Sequence, residues 1–289
     1  MQNPLKLKYT ESIDRELVQQ ALDGDRQALE RLIQLHQPFI YNVAWKMVHD
    51  PNDAMDLTQE VLIKVITKLS QFKFKSSFRT WLYRIVMNEF LQAKRRKTET
   101  QFTTFEDLGE RLDAIPNAEL NREEEIVFEE LSKEMQVRCM SGMLMCLTRE
   151  QRLIFIVGDS YGVDHALGAE IFEISKQNFR VKLHRARQQL YNYMRNKCGL
   201  VNRDNPCRCP KKAKTLKEKG VLDEDKMLFT KSFQHSIADY AEANYQEARD
   251  KYDETITTLF REHPARTSFD RETFLNTILK DNEFLKFFE

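Results

Sequence analysis

The sequence predicts an all-α protein: two small helical domains joined by an acidic linker, with a helical extension at the C-terminus. Three observations support this. Glycine and proline are scarce, at 8 and 7 of 289 residues, which disfavours turn-dense sandwiches and barrels. Apolar residues recur at spacings of three and four along much of the chain. Helix-start residues (Pro51, the Thr148/Gln151 pair and Ser175) stand just ahead of those periodic runs.

The elements follow in order. Leu17 and Ala21 begin an apolar stripe, Asp23-Gly24-Asp25 interrupts it, and Leu29, Leu32, Ile33, Ile40, Val43, Ala44 and Met47 resume it. Residues 12–48 therefore read as two helices. Pro51-Asn52-Asp53 starts a third, with Leu57, Val61, Ile66 and Leu69 as its apolar members. Phe72–Ser77 is a short basic-aromatic loop before a helix that holds Trp81 and ends in Lys94-Arg95-Arg96-Lys97. Residues 99–140 are acidic, weakly periodic in their first half and expected to be partly extended. Thr148 and Gln151 form a capping box for the next helix. Gly162–Phe172, a turn at Glu173-Ile174 and Ser175–Met194 then complete a helix-turn-helix pattern. Cys198–Pro210 reads as a loop. Beyond it, Phe229, Phe233, Ile237, Ala241, Ala248, Tyr252, Ile256 and Leu259 predict one long amphipathic helix, stopped by His263-Pro264. Phe274, Ile278, Leu279 and Leu285 mark a final helix.

The chain holds 45 Lys and Arg against 45 Asp and Glu, so its formal net charge is zero. The charge is nonetheless segregated. Residues 99–134 carry 12 acidic and 3 basic side chains, a net of −9, whereas residues 176–219 carry 14 basic and 2 acidic, a net of +12. Such asymmetry points to a nucleic-acid partner for the cationic arm. No apolar run of about 18 residues is present and the N-terminus lacks a signal peptide's apolar core, so a cytoplasmic protein without membrane association is expected. No Gly-rich phosphate loop, HExxH or Cys/His/Asp arrangement suggests an enzyme.

Two helices carry the chemistry. Phe179, Leu183, Ala186 and Leu190 share one face of the trailing helix-turn-helix element and should pack inward. Ser175 is a good N-cap, which leaves Lys176, Gln177 and Asn178 at the end of the helix that meets base edges in a major groove. Gln and Asn suit adenine, Lys and Arg guanine, and Arg185 and Arg187 are placed to hold phosphates. On the earlier helix Trp81, Arg84 and Asn88 lie on one face at i, i+3 and i+7. An indole beside arginine and asparagine suits an unpaired base, with cations on its backbone. Phe72, Phe74 and Phe78 would line a pocket for a base drawn from the stack.

Five cysteines in a reducing compartment should remain thiols. Cys198, Cys207 and Cys209 offer three thiolates to zinc, but the close pair is C-x-C and no fourth ligand is evident beyond His184 or His235. The expectation is therefore a compact loop and no cofactor. Cys139 and Cys146, among several methionines, are expected in the core.

DAMDLTQEVL (Asp53–Leu62), FRTWLYRIVMN (Phe78–Asn88) and LTREQR (Leu147–Arg152) followed by ISKQNFRVKLHRAR (Ile174–Arg187) resemble the sigma factors of bacterial RNA polymerase, in particular the extracytoplasmic-function (ECF) class of the sigma-70 family. The likeness covers roughly residues 10–195. It implies an alternative sigma factor in which 10–98 is region 2, 99–140 the acidic linker and 141–197 the region 4 helix-turn-helix. A Cys/basic loop at 198–214 and a C-terminal helical extension at 215–289 follow. The resemblance implies that Asp53, Asp56, Leu57, Gln59 and Glu60 dock on core RNA polymerase. It implies that Phe72, Phe74, Phe78, Arg79, Trp81, Arg84, Asn88, Arg95 and Arg96 read and melt the minus-ten element. Ser175, Lys176, Gln177, Asn178, Arg180, Lys182, Arg185 and Arg187 would then bind the minus-thirty-five element as duplex.

Two positions depart from the family pattern: Gly168 stands where an apolar residue is usual, and Glu173 where the turn carries glycine. Gly168 costs about 1 kcal/mol of helix propensity relative to alanine and removes a packing group. A weakened or re-specified duplex reader is expected, with recruitment helped by another DNA-bound partner; an anti-sigma factor is a further implied partner. The rival is a stand-alone helix-turn-helix regulator that does not bind the polymerase.

Overall fold

The computed structural model of the protein describes residues 11–94, 99, 104–223 and 260–261. Among these the regular structure is helical, without a strand. Among the described residues no helix is long and apolar enough to cross a membrane. The helices are α1 (Glu11–Leu22), α2 (Arg26–Val48), α3 (Pro51–Thr67), α4 (Phe78–Gln92), α5 (Phe105–Asp113), α6 (Arg122–Val127), α7 (Glu129–Met145), α8 (Arg149–Phe155), α9 (His165–Ile171), α10 (Lys176–Lys197) and α11 (Cys209–Glu218). The chain separates into two units. In the described residues these are 11–94 with 164–179, and 99, 104–163, 180–223 and 260–261. The boundary at 163/164 falls inside the 141–197 segment expected to act as one module.

In the first unit the helix starts are set by short polar side chains. The Asp25 carboxylate accepts from the N–H groups of Gln27 and Ala28 at the head of α2, and Asp50 accepts from Asn52 and Asp53 at the head of α3, with Pro51 in its first turn. Each cap is worth about 1 kcal/mol. The apolar faces of α1–α4 then bury Val18, Ile40, Val43, Trp45, Leu57, Leu62, Leu82 and Phe90 almost completely, each side chain contributing roughly 1.5–3 kcal/mol. Asp14 on α1 and His36 on α2 meet in this core at 3.0 Å, and the His36 ring lies edge-on to Phe78.

In the second unit the acidic segment holds more helix than its weak periodicity suggests, with residues 116–121 left outside any helix. Thr104 caps α5 through the N–H of Asp107, and Asn121 and Glu124 form a reciprocal capping box for α6. α7 continues past residue 140 and buries Leu131, Met135, Val137, Met140, Met143 and Leu144. Its charges are paired inside the fold: Arg138 with the buried Glu134 at 2.6 Å, and the buried Lys133 with Glu129 at 2.7 Å. The acidity is therefore built into helices.

The predicted capping box at Thr148 and Gln151 is present at the head of α8. Beside it Glu99 receives Arg149 at 2.7 Å and Arg152 at 3.0 Å. Arg152 also donates to the carbonyls of Leu144, Met145 and Leu147, and burial lowers its pKa to about 10.

A π-helical turn, Ile156–Ser160, follows α8 and turns Asp159 fully inward. The expected loop 198–210 ends early, because Cys209 already opens α11 with Pro210 in the first turn. α11 runs across the expected 214/215 boundary and packs Ala213 with Leu131, Met135 and Leu222. Arg95, Arg96 and most of the expected C-terminal helices (residues 224–259 and 262–289) lie outside the described residues; Phe260 is described, buried edge-on against Phe155 at 5.0 Å.

Candidate nucleic-acid interface

The Ser77 hydroxyl accepts from the N–H of Thr80 and so fixes the start of α4. From there Phe78, Leu82, Tyr83, Val86, Met87 and Phe90 turn inward, which leaves Trp81, Arg84 and Asn88 along the opposite side. Trp81 is half-buried and Asn88 exposed. The indole sits on an aromatic floor, with ring centroids 5.4 Å from Phe72 and 5.6 Å from Phe78. Phe74 covers the edge of that floor, 4.7 Å from Phe72, in a left-handed backbone conformation (φ 56°).

The expected pocket is thus altered. Phe72 and Phe78 are 3% and 1% exposed, so they support the surface from below and cannot meet a base. Trp81 and Phe74 are the aromatic groups left for stacking. The floor is rigid because the rings lock one another in tilted and edge-to-face contacts.

The flanking arginines are engaged. Arg79 donates to the Tyr83 hydroxyl at 3.1 Å, and Tyr83 stacks on Phe39 at 3.9 Å. Burial pushes the Tyr83 phenol up to about 12, and the Arg79 charge acts against that shift. Arg84 reaches α9, donating to the Glu170 carbonyl at 2.9 Å and lying 3.9 Å from the Glu173 carboxylate. These last contacts are exposed and of the kind that solvent or a phosphate readily replaces.

On α3, Asp56 and Glu60 are exposed and Asp53 and Gln59 half-buried, forming an acidic and amide-bearing strip. Leu57 is not part of it. At 1% exposure it packs inward with Ala54, Thr58 and Val61, because its position in the 3.6-residue repeat falls on the core side.

In the helix-turn-helix, Asp164 caps α9 through Ala166 and Leu167, and the Ser175 hydroxyl accepts from the N–H of Asn178 at 3.1 Å. Ser175, Lys176, Gln177, Asn178, Arg180 and Arg185 are all exposed. Lys182 bonds Glu150 at 2.7 Å in a surface pair. Arg187 departs from expectation: its guanidinium grips the buried Asp159 through two bonds of 2.9 and 2.8 Å, and Tyr191 adds a third at 3.0 Å. A buried carboxylate needs such partners, so Arg187 holds the fold rather than a phosphate. The signal lay in Asp159, an acid within an apolar run.

The two departures in this motif have structural reasons. Glu173 occupies the turn at φ 53°, the left-handed conformation that glycine adopts without strain. Gly168 faces the Phe179 ring so closely that an added Cβ would lie 2.4 Å from its tip. The glycine therefore admits the phenylalanine, and the expectation of a lost packing group is corrected.

The Sigma-70 region 2 family model matches residues 32–100. The chain is 28% identical over 174 residues to the ECF RNA polymerase sigma factor SigE of Mycolicibacterium smegmatis, covering 59% of this chain and 64% of the relative. It is 36% identical over 101 residues to the RNA polymerase sigma-H factor of Pseudomonas aeruginosa, covering 34% of this chain and 52% of the relative. It is 26% identical over 169 residues to the RNA polymerase sigma factor YlaC of Bacillus subtilis, covering 58% of this chain and 93% of the relative. The chain thus spans under two thirds of the length of the first two.

Proposed function

The chain belongs to the extracytoplasmic-function class of the sigma-70 family, and from that premise we propose that it directs core RNA polymerase to promoters and helps to open the DNA there. The observation that carries this reading is the half-buried Trp81 on its buried Phe72–Phe78 floor, on one helix face with Asn88. A half-buried indole backed by a rigid aromatic base offers its open face for stacking worth about 1–3 kcal/mol per base. That energy is available only once a base leaves the duplex, so it biases the equilibrium toward the open state.

The exposed acids Asp56 and Glu60, beside Asp53 and Gln59, are the docking strip for the polymerase. The exposed start of α10, from Ser175 to Arg180, enters the major groove at the upstream element. Arg185 and Lys182 hold phosphates there, Lys182 after releasing Glu150. No bond is made or broken by this chain.

Run-off transcription with core polymerase and the full-length protein tests the reading. Trp81→Ala should reduce transcripts from a fully paired promoter by roughly 5- to 150-fold, the loss expected when 1–3 kcal/mol of stacking is removed. A template carrying a preformed bubble at the same place should restore them. Absence of promoter-dependent transcripts with native protein would refute the function and leave the stand-alone regulator as the better reading. An equal loss on both templates would refute the role in melting.

A further inference from the structure

The cysteines that the helix-turn-helix does not use converge in the second unit. Cys198 lies just beyond α10, Cys207 in the loop after it and Cys209 at the head of α11; the fold brings Cys139, from the middle of α7, to the same small apolar cavity. Sequence spacing offers no fourth ligand, because Cys139 lies far from the other three along the chain. The two arms of the loop touch: a Cβ on Gly199 would meet the Cys207 carbonyl at 2.0 Å, so only glycine permits that approach.

The loop that carries these sulfurs is held in two further ways. The N–H groups of Val201 and Asn202 donate to the Cys198 carbonyl at 3.3 and 3.0 Å, and the Asn205 side-chain amide donates to the carbonyls of Arg195 and Cys198. Two cations act on Cys207, those of Lys212 and Arg208. Lys212 is 4% exposed and donates to the carbonyls of Leu112 and Ile115 at 2.7 and 2.5 Å. Arg208 donates to the carbonyls of Arg203, Asn205 and Cys207. Carbonyl oxygens hold both side chains in place beside the loop, where the Asp113 carboxylate also acts on Cys207.

We propose that Cys139, Cys198, Cys207 and Cys209 bind one thiophilic metal ion, zinc, which fastens the loop after α10 to α7. A zinc ion with four thiolates carries a net charge of about −2, which Lys212 and Arg208 would balance. The cavity, about 30 Å³, has room for an ion-sized body. Among the described residues no three His, Cys, Asp or Glu side chains are yet grouped as a ligand set. Metal uptake must therefore draw the loop sulfurs inward onto Cys139, with release of their protons.

The test uses the full-length protein, reduced and desalted after exposure to zinc. About one zinc per chain is expected by elemental analysis, falling to a small fraction in Cys139→Ser and Cys209→Ser. Cys146→Ser should keep its zinc, since that thiol bonds the Thr104 and Gly142 carbonyls and is not among the cavity residues. Cobalt(II) titration of the native protein gives a readout free of mutation: intense thiolate-to-cobalt charge transfer and tetrahedral ligand-field bands are expected. Absence of those bands, or zinc retained in the Cys139→Ser/Cys209→Ser double variant, would overturn the proposal.

Discussion

Alanine at Gly168 separates two opposed accounts of one residue. From helix propensity alone, Gly168→Ala should stabilise α9 by about 1 kcal/mol. The packing reverses the sign. The new methyl carbon would sit 2.4, 2.7 and 2.8 Å from three atoms at the tip of the Phe179 ring. Ordinary contact needs at least about 3.4 Å, so the ring must withdraw by roughly 1 Å. Phe179 has no exposed surface and touches Phe172 and His165, at centroid distances of 5.8 and 6.2 Å, so it has little room to do so. Overpacking of this kind costs about 1–3 kcal/mol, and with a ring this confined the cost falls in the upper half of that range, so a net destabilisation of up to about 2 kcal/mol remains after the helix gain. Urea unfolding of the full-length protein measures it. The same change in a Phe179→Leu background, where the ring tip is gone, should become neutral or stabilising, and the cycle isolates the contact. A Gly168→Ala protein as stable as the native one, with Phe179 intact, would refute the reasoning.

Other perturbations follow from the same structure. Burial lowers the Lys46 pKa from 10.5 to about 7; the unfolded chain therefore holds a proton that the folded one has lost between those values, and stability should rise with pH across that window by up to about 1.4 kcal/mol per unit. Lys46→Met should remove that slope and raise stability at neutral pH, as read from unfolding midpoints at pH 6, 7.5 and 9. Glu99→Ala, which strips a carboxylate from Arg149 and the buried Arg152, should destabilise by about 3 kcal/mol in urea unfolding. Glu173→Gly should stabilise the protein by up to about 1 kcal/mol by relieving a left-handed turn, with the Arg84 contact at 3.9 Å too weak and exposed to offset it. Phe78→Ala should lower stability by about 3–5 kcal/mol, whereas Trp81→Ala should melt near the native temperature in a calorimeter and fail only in promoter opening.

What the sequence made legible was local and repetitive. Helix starts at Pro51, Thr148 and Ser175 were readable because a cap is a contact between residues two or three apart, and the apolar faces of α1–α4 because 3.6-residue periodicity needs no knowledge of the partner. The exposure of Lys176, Gln177, Asn178 and Arg180 on α10 followed for the same reason. What was hidden depends on pairings across the fold. The acidic segment 99–140 reads as partly extended because its charges break the apolar pattern, yet Glu99 is buried against Arg149 and Arg152, some fifty residues on. Leu57, Phe72 and Phe78 were assigned to surfaces because of the motif they belong to, although their own hydrophobicity argued for the interior. Arg187 was read as one more cation in a basic arm, and nothing local could show that Asp159 waits for it across the unit.

Gly168 and the cysteines carry the broader inference. In each case a residue that looked like a deficit by itself, a missing side chain or a missing fourth ligand, is completed by a group remote in the chain. Phe179 fills the space that Gly168 leaves open, and Cys139 stands at the cavity where three loop thiols lack a partner. Propensity scales and spacing rules score a position against its neighbours in sequence, so they register the gap and cannot see what fills it. Positions that break a local rule without an evident local reason are thus the places where long-range contacts should be sought first.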